Sequence, residues 1–491
     1  MKKYIYSAVA ALTLAMGFMS CGDDFLDTKY YKGVDAEGSI TNAELATTAL
    51  TGVYSNLYTR YFAGNYATSI GDIPTDLAYW NTKTGHWDGI YQYSFQTTDT
   101  YLSYIWEYGY KIVDNAARVI DAATDLYEDA TDDDKEVLDV DIAEAYALRA
   151  YANLILVNVF GHQVKVNGTD YSSQPGVVIS EKPIPAFSQV ERSTVGQVYD
   201  FIVSDLNKSI EHFNAAGGDR GDANYFTVAS VKGLQARVNL YLENWAVAAS
   251  KAQEAIDEAG APALAYTASA YKALYNGGAS NTESIFYLDI NANQNWSANS
   301  CGTLWTTYSF SPSPKLLSLY ADTDVRTSIM DFDNTSTETV PVYAGGKFSH
   351  YSSGNPAYAT NYLVNVPEMY LIIAESKLKS GDAGAARTAL LNVAKRNTAI
   401  TSVDDLPQTD SELYAFIKDE RARELFQEGL RLYDLRRWGG TAQVVAYNAP
   451  SVAFRYANYD ISKLVFPIPE DEINAGFGVA QTEGWEGNLP E

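Results

Sequence analysis

Cysteine and histidine are scarce in this chain: of 491 residues, two are Cys and four are His. His86, His162, His212 and His350 share no metal-ligand spacing and no HExxH pattern, so no metal centre is expected. Walker-type phosphate loops, GxSxG elbows and a GxGxxG leading into a helix are also missing, so no cofactor is expected. Positive charge is in short supply, with 35 Lys+Arg against 61 Asp+Glu and a formal net charge of -26. Binding to DNA or RNA gains most of its free energy from basic side chains that release counterions, which excludes nucleic acid as a general partner. Long apolar runs are confined to Tyr4–Phe18. That run is about 15 residues, shorter than the roughly 20 a helix needs to cross a bilayer.

What is present begins with an address. Lys2 and Lys3 precede the apolar run and small residues follow it, the pattern of a secretory signal peptide over residues 1–20. Cys21 stands at the junction, followed by Gly22, Asp23 and Asp24, and looks like a bacterial lipobox cysteine, with Phe18 where Leu is usual. Several acyl chains at Cys21 would anchor the protein to a membrane without spanning it. Cys301 would then be the only remaining thiol, so no intramolecular disulfide and no cysteine-built zinc site can form. Residues 21–40 read as a tether in which Phe25 and Leu26 are the docking residues, and residues 41–491 as one large body.

Helical patterns dominate that body. Thr41 followed by Glu44 predicts a capped helix over 41–60, and further helices are expected over 101–124 and 139–160. Two later segments look like one repeated unit. Ala236, Ala248 and Ala255 stand twelve and seven residues apart with Ala252 between, and Ala374, Ala386 and Val393 repeat the spacing with Leu390 between. Small residues there let antiparallel helices approach closely, as in tetratricopeptide-type pairs. Two irregular, aromatic-rich segments interrupt the helices, at 63–100 and 261–365, with strand-like runs at Ser284–Asn291 and near Val340–Phe348. Loops of that length in a compact domain are functional or disordered, and their aromatic content argues for order and ligand binding.

Several segments together resemble the SusD/RagB family over nearly the whole mature chain. They are CGDDFLD from Cys21, WEYGYKIVDNAARVI from Trp106, AEAYALRAYANLILVNVFG from Ala143, VKGLQARVNLYLENWAVAASKA from Val231, DTDVR from Asp322, PEMYLIIAES from Pro367, DERARELFQEGLRLYDLRRWG from Asp419 and FPIPEDEIN from Phe466. The resemblance implies a mainly α, single-domain fold built on tetratricopeptide-type helix pairs with a few short strands. It also implies a lipoprotein on the outer membrane, facing the cell exterior, that captures oligosaccharide or polysaccharide and delivers it to a SusC-like TonB-dependent transporter. Such a protein is not an enzyme. A helical-repeat protein-interaction lid or adhesin, and a surface glycoside hydrolase, are the alternative readings.

Candidate ligand contacts are the aromatics and amides of the two irregular segments. An aromatic platform suits the C–H face of a sugar ring and amides suit its hydroxyls, which singles out Trp80, Asn81, Trp87, Trp296, Asn299 and Trp305. Around them stand Tyr79, His86, Tyr91, Tyr93 and Tyr308, and the 38 Tyr of the chain favour uncharged polar ligands in general. Trp106 and Trp245 are expected in the core and Trp438 in the scaffold. Arg421, Glu424, Glu428, Arg431, Asp434 and Arg437 follow at three- or four-residue steps, which places opposite charges on one helical face as a structural ion-pair network. Arg220, Gly221 and Asp222 are read as part of a polar turn.

Overall fold

The computed structural model describes residues 39–333, 342–343, 345–349, 351, 353–442, 444, 456 and 458–490. The signal peptide, Cys21 and most of the 21–40 tether lie outside the described residues, as does Val340 of the second strand-like run. From Asn42 onward the chain forms one unit.

Helix α1 (Ala43–Tyr58) is capped by Asn42, whose Oδ1 accepts the Leu45 N–H. The cap is therefore one residue later than Thr41, because the side-chain oxygen of Asn42 reaches the N3 amide of Leu45 in the geometry that satisfies an orphan helix donor. Helix α2 (Tyr66–Asp72) and strand β1 (Ala78–Trp80) follow. Two long helices, α3 (Thr100–Tyr127) and α4 (Asp132–Phe160), then pack against each other and against α1. Asp99 caps α3 and Thr131 caps α4, each starting a helix where its side chain accepts backbone N–H groups. In α3 the buried positions Leu102, Ile105, Trp106, Gly109, Ile112, Val113, Ala116 and Ala117 keep a helical period, so one stripe faces the core. Helix α5 (Val195–Ala215) covers α4.

Helices α6 (Val228–Tyr241) and α7 (Trp245–Glu258) form one hairpin. Strands β2 (Ser284–Leu288), β3 (Phe310–Pro312) and β4 (Asn361–Asn365) intervene before the second hairpin, α8 (Val366–Lys379) with α9 (Ala383–Ala394). Connections this short force the two members of each hairpin to run antiparallel. Ala236, Ala248, Ala252 and Ala255 in one, and Ala374, Ala386, Leu390 and Val393 in the other, are fully buried. α8 packs on both α7 and α9, joining the two hairpins. Trp106 is buried, while Trp245, at the first position of α7, is only half-buried against the core.

The charged segment departs from a single helical face. Helix α10 (Asp410–Leu425) stops, Gln427 and Gly429 take positive φ (66° and 73°), and α11 (Arg431–Arg437) restarts in a new direction. Its ion pairs therefore reach across the fold. Arg421 meets Asp434 at 2.7 Å, Arg431 meets Asp76 at 2.8 Å, Arg437 meets Glu375 at 2.6 Å, and Lys347 meets Glu428 at 2.5 Å. Glu424 lies 2.9 Å from both Arg326 and Arg396. These groups are buried and tie α8, α10 and α11 to the irregular segments.

Candidate functional site

The two irregular segments are one structure. β1 pairs antiparallel with β3, setting Ala78, Tyr79 and Trp80 opposite Pro312, Ser311 and Phe310. The Asn81 amide continues the contact by donating to the Ser309 carbonyl at 2.8 Å. Farther along, the Tyr58 hydroxyl donates to the carbonyls of Asp289 and Gln294, and Asn65 Nδ2 donates to the Asn299 carbonyl at 2.7 Å. Residues more than 200 positions apart in sequence thus share one surface.

At their junction lies a cavity of about 450 Å³, lined by Asn65, Tyr66, His86, Trp87, Asp99, Tyr101, Asn299 and Tyr308 among others. His86 and Tyr308, one from each segment, stack with ring centroids 5.1 Å apart and planes 14° from parallel. Trp87, only 2% exposed, stacks on Tyr101 at 4.1 Å, and Tyr66 meets both rings edge-on. Trp87 holds a left-handed backbone (φ 63°), a conformation costly for a bulky residue and characteristic of sites where a side chain must be aimed. The Asn299 side chain is exposed, and its amide makes no hydrogen bond to a described residue. Asp99 sits at the rim, where partial burial raises its carboxyl while the N–H groups of Tyr101 and Leu102 pull it down. Among the described residues, neither Lys nor Arg lines the cavity.

Of the six residues singled out from sequence, Trp87 and Asn299 line this cavity together. Trp305 is 1% exposed and packs edge-on against Phe426, so it belongs to the core beneath the site. Trp80 is 8% exposed; its Nε1 donates to the Thr84 carbonyl at 3.0 Å and its ring leans on Tyr91, fixing the loop from behind. Asn81 Oδ1 accepts the Lys83 N–H within that same turn. Trp296 is half-buried, stands 5.8 Å from the Tyr58 ring and donates to the Tyr58 carbonyl, away from the cavity lining.

Sequence reasoning passed over Tyr66, Asp99 and Tyr101. It also passed over a half-buried tyrosine row that continues from the cavity: Tyr61 stacks on Tyr104 at 4.1 Å and leans on Tyr108 at 4.9 Å, and Tyr66 joins this row to Trp87. The signal was there in Tyr101, Tyr104 and Tyr108, which recur at three and four residues along α3 and therefore share one helical face.

Helix α2, which carries Tyr66, is seated by backbone contact. A Cβ on Gly71 would come within 1.8 Å of the Gly429 carbonyl oxygen, so only glycine permits this approach. Asp72, at the end of α2, accepts the N–H groups of Gly429 and Arg431. Burial raises its carboxyl to about 7 against the pull of those N–H groups, and burial likewise raises Glu144 to about 7 against Arg220. The folded chain binds protons at both before the unfolded chain does, so their contribution is full below about pH 4 and fades as pH rises through 7. Burial would also raise Asp76, Glu375 and Glu420, but neighbouring Arg and Lys groups override it and hold all three at about 2. Their contribution is present above about pH 4 and is lost as pH falls towards 2. Thermal melting is expected to be highest in mildly acidic buffer, and Asp72→Asn to flatten the decline towards pH 8. A melting temperature that climbs steadily from pH 5 to 8 in both proteins would contradict this.

Beneath the cavity, Cys301 is fully buried beside Asn65, Ser69 and Asn361, and burial pushes its thiol up to about 12. A chain starting at Gly22 is expected to leave this thiol unmodified by a thiol reagent until denaturant is added; rapid labelling of native protein would refute the packing.

A model of the SusD family matches residues 328–485, and a second model, described as starch-binding associating with outer membrane, matches residues 24–217. The chain belongs to the SusD family. The mainly helical fold agrees with solved SusD structures. A SusD superfamily protein from Bacteroides thetaiotaomicron is 21% identical with a TM-score of 0.78, covering 90% of this chain and 99% of the other. One from Bacteroides vulgatus is 22% identical with a TM-score of 0.77, covering 92% and 100%. A SusD-like carbohydrate binding protein from Bacteroides vulgatus is 19% identical with a TM-score of 0.73, covering 92% and 98%. At these identities the likeness is one of fold. No curated protein matches this SusD chain. No helix among the described residues is long and apolar enough to cross a membrane.

Proposed function

We propose that this SusD protein captures neutral oligosaccharides at the cavity between its two irregular segments and passes them to a SusC-like TonB-dependent transporter. The observation that carries the reading is the cavity itself. Stacked aromatics from two distant segments, the exposed side-chain amide of Asn299 and a lining without Lys or Arg among the described residues suit an uncharged ring with an apolar face and hydroxyl edges. The tyrosine row along α3 extends the surface for further sugar units. A lipid on Cys21 would hold the protein, facing outward, at the outer membrane, the membrane named in the description of the family model that matches residues 24–217. In this reading residues 1–20 are the removed signal, 21–40 the tether and 41–491 the binding body.

Binding without chemistry fits the carboxylates. Glycoside hydrolysis uses two carboxyl groups facing the scissile bond. Asp99 is the one acid among the described residues lining the cavity, and its Oδ1 is occupied as a helix cap. Capture followed by transfer requires affinity without bond breaking.

The test is affinity electrophoresis of the chain starting at Gly22 in gels containing a panel of neutral and acidic polysaccharides. Retardation by a neutral glycan, with none by the acidic members, supports the reading. Mobility unchanged across the panel, with a transporter still captured from outer membranes, favours the protein-interaction lid.

A further inference from the structure

Ser103, Trp106, Glu107, Tyr110 and Asp114 recur at helical spacing on α3, along a different stripe from Tyr101, Tyr104 and Tyr108. They line a concavity of about 490 Å³, and a second of about 230 Å³ continues from it, the two sharing Trp106, Tyr110 and Glu472. Together they form one groove. Its second half is mostly apolar, walled by Val178, Ile184, Phe187, Val190 and Phe477. Phe187 is 84% exposed, the most open large apolar side chain among the described residues, and its backbone is left-handed (φ 65°). Both the exposure and that φ disfavour a bulky aromatic. The loop nevertheless holds it in place. Pro183 and Pro185 precede it, the Val190 N–H donates to the Phe477 carbonyl at 2.8 Å, and a Cβ on Gly478 would come within 2.5 Å of the Val190 carbonyl oxygen. A strained, exposed aromatic on a braced loop, at the edge of an apolar groove, marks a side chain presented to something outside the chain.

The other half of the groove is acidic. Asp471 and Glu472 lie in the first turn of the short helix Glu470–Ala475, and neither forms an ion pair within 4.0 Å with any described residue. Glu472 is fixed by accepting the Trp106 Nε1–H at 3.0 Å. Lys111 is taken by Glu107 at 2.6 Å, Arg118 by Asp114 at 2.8 Å and Lys182 by Asp121 at 2.6 Å, so these pairs cancel. Arg192, close to Tyr110, gives its N–H groups to main-chain carbonyls and Thr482. Its charge set against Asp471 and Glu472 leaves one net negative charge, and Glu470 and Glu181, on the two elements that border the groove, add to it.

We propose that this groove is the docking site for an extended segment of a basic protein, with an apolar side chain set against Phe187 and Phe477 and a Lys or Arg on Asp471 and Glu472. Residues two apart in an extended chain point the same way, so one short segment presents both. A second copy of this chain would bring a formal net charge of -26 to an acidic rim, and an anionic lipid surface would meet the same repulsion. The charges therefore select a cationic polypeptide. The groove shares no lining residue with the glycan cavity among the described residues, and its occupation does not depend on what binds there.

The experiment is selection of a displayed library of nine-residue peptides on the Gly22-start chain, with Phe187→Gly as the counter-selection. Peptides retained by wild type and released by Phe187→Gly are expected to carry Lys or Arg two residues from a large apolar side chain. Calorimetry with the most enriched peptide is expected to show affinity that falls as salt rises, and a loss of about tenfold or more in both Phe187→Gly and Asp471→Lys. Glycine takes a left-handed backbone without steric cost, so Phe187→Gly is expected to melt no lower than wild type, which separates a lost contact from a lost fold. No peptide that distinguishes the two chains, or only acidic or wholly polar ones, would overturn the assignment. So would a wild-type dimer that Phe187→Gly makes monomeric, or flotation with phosphatidylglycerol vesicles that Phe187→Gly abolishes, because these put a second copy or a membrane in the groove.

Discussion

Tyr308→Ala is expected to weaken binding of the captured glycan by about 30-fold, the equivalent of roughly 2 kcal/mol for loss of a central aromatic contact. Tyr308 is half-buried, lines the cavity and stacks on His86, so its removal takes away one wall of the proposed platform and loosens the other. Asn299→Ala is expected to cost less, about tenfold or under, because one hydrogen bond to a hydroxyl is lost at an exposed position. Calorimetry with the glycan found by electrophoresis reads both. Trp305→Ala gives the contrast. That indole is buried under the cavity, and its truncation is expected to lower stability by about 3–5 kcal/mol, so a drop in melting temperature should accompany any loss of binding. Equal affinity in Tyr308→Ala and wild type would remove the cavity from the account.

Arg326→Met is expected to destabilise the fold by about 3–5 kcal/mol, since it strands buried carboxylates. Arg326 is fully buried and meets Asp324 at 2.8 Å, Glu420 at 2.8 Å and Glu424 at 2.9 Å. Glu424 also pairs with Arg396, which in turn meets Glu283. One substitution therefore unbalances a chain of charges running from the DTDVR segment through α10 to the residues just before β2. Urea unfolding checks it, and a midpoint within error of wild type would refute the network's role. The exposed pair Lys111–Glu107 on α3 supplies the control, because such i,i+4 pairs contribute little.

The same network shows what the sequence could and could not disclose. Regular spacing from Arg421 to Arg437 announced ion pairing, but the period of a helix assigns partners within one helix. The chain instead turns at Gln427 and Gly429, and Arg421 finds Asp434, thirteen residues on, while Arg431 finds Asp76. Long-range partners leave no local period. The helix pairs were legible because Ala236, Ala248, Ala255 and their counterparts recur at fixed intervals, and those positions are fully buried.

The candidate site was legible in composition and obscure in detail. Aromatic-rich irregular segments stood out, yet which indole faces solvent depends on tertiary pairing. The β1–β3 register and the Trp80 hydrogen bond to Thr84 turn Trp80 inward, and Phe426 covers Trp305 from a helix end 121 residues away. Tyr101 went unremarked because it falls in an expected helix, where an aromatic reads as core, and Tyr66 because nothing in the 63–100 segment set it apart from the other aromatics there, although both stand against Trp87 in the cavity wall.

The most direct test of the account is a crystal structure of the Gly22-start chain with an oligosaccharide cut from the polysaccharide that retards it. The account predicts sugar density in the cavity, one ring against the His86 and Tyr308 pair, hydroxyls within hydrogen-bonding distance of Asn299, and further units running towards Tyr104 and Tyr108. Sugar bound elsewhere on the surface, with this cavity holding only water, would contradict it.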